Sequence, residues 1–98
     1  MFARVTEITG PSDRIDAGVA EYRDLVVPAI KAMDGFQRAY LLVNREGGRA
    51  LSITTWDSQE AMRASDEAAN GLVARIAEML EAQAAVTHYE MVAQEPSD

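Results

Sequence analysis

The sequence contains no cysteine, one histidine and one tryptophan in 98 residues. Without cysteine there is no disulfide, no thiolate zinc site and no thiol nucleophile. The lone His88 rules out a paired-histidine metal motif, and neither a Ser-His-Asp order nor a phosphate-binding glycine loop appears. Basic residues are also scarce, nine against sixteen acidic ones, for a net charge of -7. The nine are scattered, whereas a nucleic-acid surface needs clustered Lys and Arg, so a nucleic-acid partner is not expected. The acidic balance disfavours anionic membranes. No apolar run approaches the ~20 residues of a membrane span, and the opening MFARVTEITG lacks the apolar core of a signal peptide. The expectation is a cytoplasmic protein with no metal and no cofactor.

What remains is ordinary globular material. The hydrophobic fraction is 48%, enough to build a core rather than a disordered chain. Residues 1–98 read as one domain, with 94–98 a polar tail expected to fray. A domain this short buries a modest core, and self-association is a common remedy.

Leu51 to Ser65 organises the chain. Leu51, Ile53 and Thr55 alternate with Ser52, Thr54 and Trp56, the period of a strand. The chain then turns at once into a helix, with Asp57 the expected N-cap and Glu60 three residues on. Upstream, Phe2 to Thr9 is a β-branched strand stopped by Gly10-Pro11, and Ser12 or Asp13 is placed to cap the next helix. In that helix Ile15, Val19, Tyr22, Val26, Ile30 and Met33 recur at steps of three and four. Pro28 should kink it or start a second short helix. Phe36 to Asn44 is the second strand, Arg45 to Gly48 a hairpin turn, and Arg49 to Trp56 the third strand. The capped helix should weaken or bend at Asn70-Gly71 and run to about Ala82. Val86 to Val92 is the fourth strand.

The order is β-α-β-β-α-β, a ferredoxin-like α+β arrangement with both helices on one face of a four-stranded antiparallel sheet. The second strand places Ala39, Leu41 and Val43 on one side, and Phe36, Arg38, Tyr40 and Leu42 on the other. Both sides are largely apolar, whereas a sheet bare on one side alternates with polar residues. A second copy of the chain is expected to cover the free face, giving a homodimer.

These features resemble the antibiotic biosynthesis monooxygenase domain of the dimeric α+β barrel superfamily. The resemblance rests on Gly35-Phe36 opening the second strand, the Arg-Glu-Gly-Gly hairpin, the T-W-D-S-x-x-A-M junction and the element order, and spans Phe2 to Ala93. It implies a dimeric α/β barrel. For function it implies a cofactor-independent monooxygenase acting on or binding an aromatic or quinone-type molecule. The alternative is a non-catalytic ligand-binding or accessory dimer, so whether the chain is an enzyme stays open. The family's small cofactor-free oxygenases have a Trp at the junction, matched by Trp56. Their Asn four residues earlier is Ser52 here, their Tyr six residues later is Met62, and their second-strand His is Leu42. The haem-degrading relatives use an Asn on the first strand, absent here, and a Trp and a His on the second helix, where this chain has Ser65 and Arg75.

The implied pocket is lined by Arg38, Tyr40 and Leu42 from the second strand, by Ser52, Thr54 and Trp56 from the third, and by Met62. Such a pocket would suit a flat, partly polar ring, with Trp56 stacking it and Arg38 holding an oxyanion. Each residue also has a structural reading. Trp56 and Tyr40 are large core rings, Arg38 is half of a surface ion pair, and the methionines are flexible filling. His88 is the one weak candidate for a catalytic base, with Glu90 on its face of the strand.

Overall fold

The computed structural model describes residues 1–96. Ser97 and Asp98 lie outside the described residues, and so does the part of the fraying expectation that falls on them. Strand β1 (Phe2–Thr9) is followed by a short 3₁₀ turn (Ser12–Arg14), α1 (Ile15–Glu21), a π turn (Tyr22–Val26) and α2 (Val27–Lys31). Then come β2 (Phe36–Asn44), β3 (Arg49–Trp56), α3 (Gln59–Met79) and β4 (Gln83–Glu90). The strands form one antiparallel sheet in the order β2-β3-β1-β4, and the helices cover one of its faces. This is the ferredoxin-like α+β fold. Among the described residues no helix is long and apolar enough to cross a membrane.

The first helical stretch shows what Pro28 costs and how the chain accommodates it. Proline has no N–H and its ring crowds the preceding turn. The backbone widens just upstream, where the Val27 N–H bonds the Tyr22 carbonyl across five residues. α2 then restarts with Pro28 in its first turn, where no N–H is needed. Entry to the stretch differs from expectation. Neither Ser12 nor Asp13 caps it with a side chain; the Arg14 N–H bonds the Pro11 carbonyl at 3.0 Å and tightens the first turn instead. Tyr22, Val26 and Ile30 form the core with Ala69, Ile76 and Leu80, as their spacing suggested.

Four further expectations need correction. The N-cap of α3 is Ser58, whose Oγ accepts from the Ala61 N–H at 3.1 Å, not Asp57. Asp57 instead packs on Gly35, which sits at φ +81°, and its N–H bonds the Gly35 carbonyl at 2.9 Å. Asn70-Gly71 does not break α3, which runs unbroken from Gln59 to Met79. The helix ends three residues early because Glu81 takes a left-handed conformation (φ 55°) and the Ala82 N–H turns back to the Ala77 carbonyl at 2.7 Å. β4 therefore begins at Gln83, paired with Thr9, and ends at Glu90, paired with Phe2, where β1 runs out.

The remaining correction concerns faces. A bulge between Phe36 and Arg38 shifts the β2–β3 register, so that Phe36 pairs with Trp56 but Arg38 pairs with Thr55. An extra residue in one strand reverses the facing of everything on one side of it. Phe36 thus joins Ala39 and Leu41 against the helices, away from Tyr40 and Leu42.

Helix α3 yields a paired test. Ser58→Ala should cost about 1 kcal/mol by leaving the Ala61 N–H without its cap. Gly71→Ala should gain roughly 0.5–1 kcal/mol, because the added methyl meets nothing within 4 Å and helical glycine carries an entropy penalty. Urea unfolding of both variants checks the opposite signs.

Candidate functional site

The space between sheet and helices divides into two ends with different chemistry. At one end lies Trp56, fully buried. Its indole N–H donates to the Thr54 Oγ1 at 3.0 Å, and Phe36 meets its ring edge-on at 5.7 Å between centroids. The Arg4 guanidinium lies over the same ring, 5.3 Å from its centroid. Arg4 is only 4% exposed and is satisfied from α3. Its Nε and Nη2 donate to one oxygen of Asp66 at 3.0 and 2.9 Å, and Nη2 also donates to the Met62 carbonyl at 3.0 Å and to the Ser65 hydroxyl. His88 completes the cluster from β4, its Nε2 lying 3.1 Å from the same Asp66 oxygen. This end is filled.

At the other end lies a cavity of about 60 Å³, beneath the loops that join β1 to α1 and β2 to β3. Its walls are apolar, supplied by Ile8, Ile15, Val19, Leu41, Val73 and Ile76 among others. Two hydroxyls mark one side, where Ser52 donates to the Tyr22 Oη at 3.0 Å. Tyr22 in turn donates to the Tyr40 carbonyl at 3.4 Å. Burial pushes the Tyr22 phenol above its ordinary 10.0, with the Ser52 hydrogen bond pulling back less strongly. The group is neutral through the physiological range, and the stability linked to its burial is lost only as pH rises through that raised value. Gly10 and Gly48 close the roof, with the Gly10 N–H bonding the Gly48 carbonyl at 2.9 Å. Gly48 sits at φ +63°, and a Cβ there would collide with the Gly10 carbonyl oxygen, so only glycine fits this crossing.

The sequence-derived site residues do not converge. Ser52, Thr54 and Trp56 face the helices, with Met62 buried above them. Arg38, Tyr40 and Leu42 pair with Thr55, Ile53 and Leu51, the opposite set of β3. They therefore point to the uncovered face, where Tyr40 is 46% and Leu42 52% exposed. The two rows cannot line one pocket, because side chains alternate along each strand and the hairpin pairs Asn44 with Arg49, which sets the even-numbered residues of β2 opposite the odd-numbered residues of β3. Of the seven residues only Ser52 borders the cavity, and neither Trp56 nor His88 does. His88 turns to Asp66 rather than Glu90. Sequence reasoning missed Tyr22 as a site residue, since it read as a core position, and missed Arg4. The only signal for Arg4 was a charge on the inward side of a strand whose neighbours there, Thr6 and Ile8, are buried or half-buried. Among the described residues no group of three or more His, Cys, Asp or Glu is placed to hold a metal ion.

The family model for antibiotic biosynthesis monooxygenase matches residues 1–70. The chain belongs to the antibiotic biosynthesis monooxygenase family. Among curated relatives, uncharacterized protein Rv2557 of Mycobacterium tuberculosis is 41% identical over 93 residues, covering 95% of this chain and 42% of its own length. The chain thus spans about two fifths of that relative. Among solved structures, SnoaB, a cofactor-independent oxygenase from Streptomyces nogalater, superimposes with a TM-score of 0.71 at 19% identity, covering 98% of this chain and 97% of that one. The heme-degrader MhuD of M. tuberculosis, solved with two hemes in its active site, gives 0.71 at 21% identity, covering 96% and 98%. At these identities the structural likeness carries the fold of the antibiotic biosynthesis monooxygenase family and not a chemistry.

The Arg4 cluster predicts an asymmetry. Asp66→Asn strips the countercharge from a buried guanidinium and should cost about 2–3 kcal/mol, less than a fully buried pair because Asp66 is 24% exposed. Arg4→Met removes the buried charge while keeping much of the volume and should cost less, because Ser65 retains its bond to the Met62 carbonyl at 2.6 Å. Equal losses in chemical denaturation would contradict the assignment.

Proposed function

We propose that this domain binds a small, slender apolar molecule in the cavity beside Tyr22 and Ser52, and that it works as a homodimer. The observation that carries the reading is the cavity itself. Its walls are apolar, one hydroxyl pair and the exposed Arg14 and Arg49 supply polarity, and among the described residues no histidine or carboxylate lines it. That is the composition of a binding pocket, with few placed polar groups in an apolar surround. Its volume, about 60 Å³, is well below the roughly 300 Å³ at which drug-sized pockets begin. A haem does not fit it, and the one histidine is engaged by Asp66 at the other end of the layer. A polycyclic quinone does not fit it either.

The second reading is a cofactor-free oxygenase acting on an aromatic or quinone-type substrate. Family membership and one geometric feature favour it: Tyr22 is a neutral phenol backed by a Ser52 hydroxyl, a donor pair suited to an enolate or carbonyl oxygen. Such chemistry also requires a base within hydrogen-bond reach. The residues bordering the cavity include none.

Support for the dimer comes from the uncovered face. Tyr40, Leu42 and Tyr89 stand there 46%, 52% and 53% exposed, with Val5, Leu51 and Ile53 between them only half-buried. Contiguous apolar surface of this kind marks an association site.

Two outcomes are expected. In a thermal-shift assay 1-hexanol should raise Tm saturably, and Ala50→Leu, which fills the cavity, should abolish the effect; an unchanged Tm in the parent protein would sink the ligand reading. Sedimentation should give about twice the 10.7 kDa chain mass, and Leu42→Glu should shift it toward the monomer. A monomeric parent at micromolar concentration would defeat the dimer.

A further inference from the structure

We propose that the ligand of this cavity is an apolar chain ending in one anionic group, in chemical class a short alkyl carboxylate, with Arg14 and Arg49 as the head-group site. The inference rests on the cavity being a ligand site and adds the identity of the ligand class.

The charge distribution carries the argument. The chain has sixteen acidic residues and nine basic ones. Among the described residues no acidic one lines the cavity, whereas two arginines do. Of the other arginines, Arg4, Arg23 and Arg45 pair with Asp66, Asp24 and Asp16, while Arg63 and Arg75 lie on α3 and do not border the cavity. The guanidiniums of Arg14 and Arg49 have neither an ion-pair nor a hydrogen-bond partner among the described residues. Both residues are exposed, at the solvent end of an otherwise apolar space. Two unpaired cations at one opening, in a protein of net charge -7, run against the background charge and favour an anion there.

The position of the pair is built into the fold. Arg14 ends the 3₁₀ turn before α1 and Arg49 opens β3. Two contacts tie these segments together, the Gly10–Gly48 backbone bond at 2.9 Å and the Arg45–Asp16 ion pair at 2.8 Å. The Arg49 guanidinium lies along the hairpin, its Nε 3.1 Å from where a Gly47 Cβ would stand. Guanidinium is the side chain best matched to a carboxylate, offering two parallel donors.

Volume and polarity describe the rest of the ligand. At about 60 Å³ the space is smaller than an apolar cavity that binds benzene, so it encloses only the end of a narrow alkyl chain, the rest of which lies in the opening. The Ser52 and Tyr22 hydroxyls satisfy one another and the Tyr40 carbonyl, so the inner wall asks for no polar tail.

Isothermal titration with hexanoate, 1-hexanol and hexylammonium tests the proposal on the full chain. Hexanoate should bind at least about tenfold tighter than 1-hexanol, and hexylammonium more weakly than either. The advantage should shrink as salt rises, because the head-group site is exposed. The double variant Arg14→Gln, Arg49→Gln should bring hexanoate down to the affinity of hexanol without changing Tm. Equal affinity of hexanoate and hexanol for the parent, or a preference that survives the double variant, overturns the anion site while the cavity reading stands. Binding of neither probe overturns both. Ala50→Leu should block both probes; hexanoate binding that survives it places the anion outside the cavity and overturns the proposal.

Discussion

A guanidinium 4% exposed in the middle of a sheet has to be neutralised where it lies, and much of this molecule follows from that requirement at Arg4. An unpaired charge in such a place would cost several kcal/mol, of the order that unfolds a small domain. Arg4 sits on β1, a central strand, and its partners come from helix α3, more than fifty residues later. Satisfying the cation therefore docks α3 across the sheet at one rotation and one height. The same Asp66 oxygen receives His88, so an edge strand exposed along its whole length is tied to the layer through one carboxylate. Trp56 is held under the guanidinium as a consequence and is not presented to a ligand.

Two ends of one interlayer thus have opposite constraints. The Trp56 end is closed by large rings, by an ion pair and by hydrogen bonds that leave no buried side-chain polar atom without a partner among the described residues. The Tyr22 end has small residues where chains must cross: Gly10 against Ala82, Gly18 against Leu80 and Gly48 against Gly10. Close backbone approach leaves little side-chain volume to fill the space beneath, and a cavity remains there. The π turn contributes as well. By absorbing the missing N–H of Pro28 it lets α2 restart in register while Tyr22 and Val26 both stay buried, which brings the phenol to Ser52.

The sequence made legible whatever depended on local period. All four strands and both long helical patterns were readable, the first three strands to the residue, because alternation and turn residues are local signals. Errors arose where a distant partner decided. β4 starts three residues earlier than its β-branched run suggests, since pairing with all eight residues of β1 outweighs the helix preference of Gln83, Ala84 and Ala85. Ser58 rather than Asp57 caps α3 because Asp57 is already packed against Gly35. The bulge after Phe36 left no mark in the apolar pattern and moved that ring to the helix side, but the expected pocket came apart because the hairpin pairs Asn44 with Arg49 and so sets Arg38, Tyr40 and Leu42 opposite Thr55, Ile53 and Leu51. Arg4 was invisible for a related reason: nothing within a strand announces that a carboxylate 62 residues away will bury its charge.

Those errors bear on function more than on fold. A family resemblance centred on the Trp56 junction directs attention to an end of the layer where the indole is fully buried. In this chain Trp56 is fully buried and bonded to Thr54, and the positions that the resemblance implies for acid–base residues hold Ser52, Met62 and Leu42. A Met and a Leu cannot move a proton, and the Ser52 hydroxyl already donates to Tyr22. At the opposite end the described residues that border the cavity offer a ligand apolar walls and two arginines. The same fold is found in SnoaB, a cofactor-independent oxygenase, and in the heme-degrader MhuD, so the fold by itself does not decide what is bound. Here the open end is narrow and apolar, and it is edged by positive charge in an acidic protein, which is the recognition chemistry of a slender anion rather than of a flat quinone.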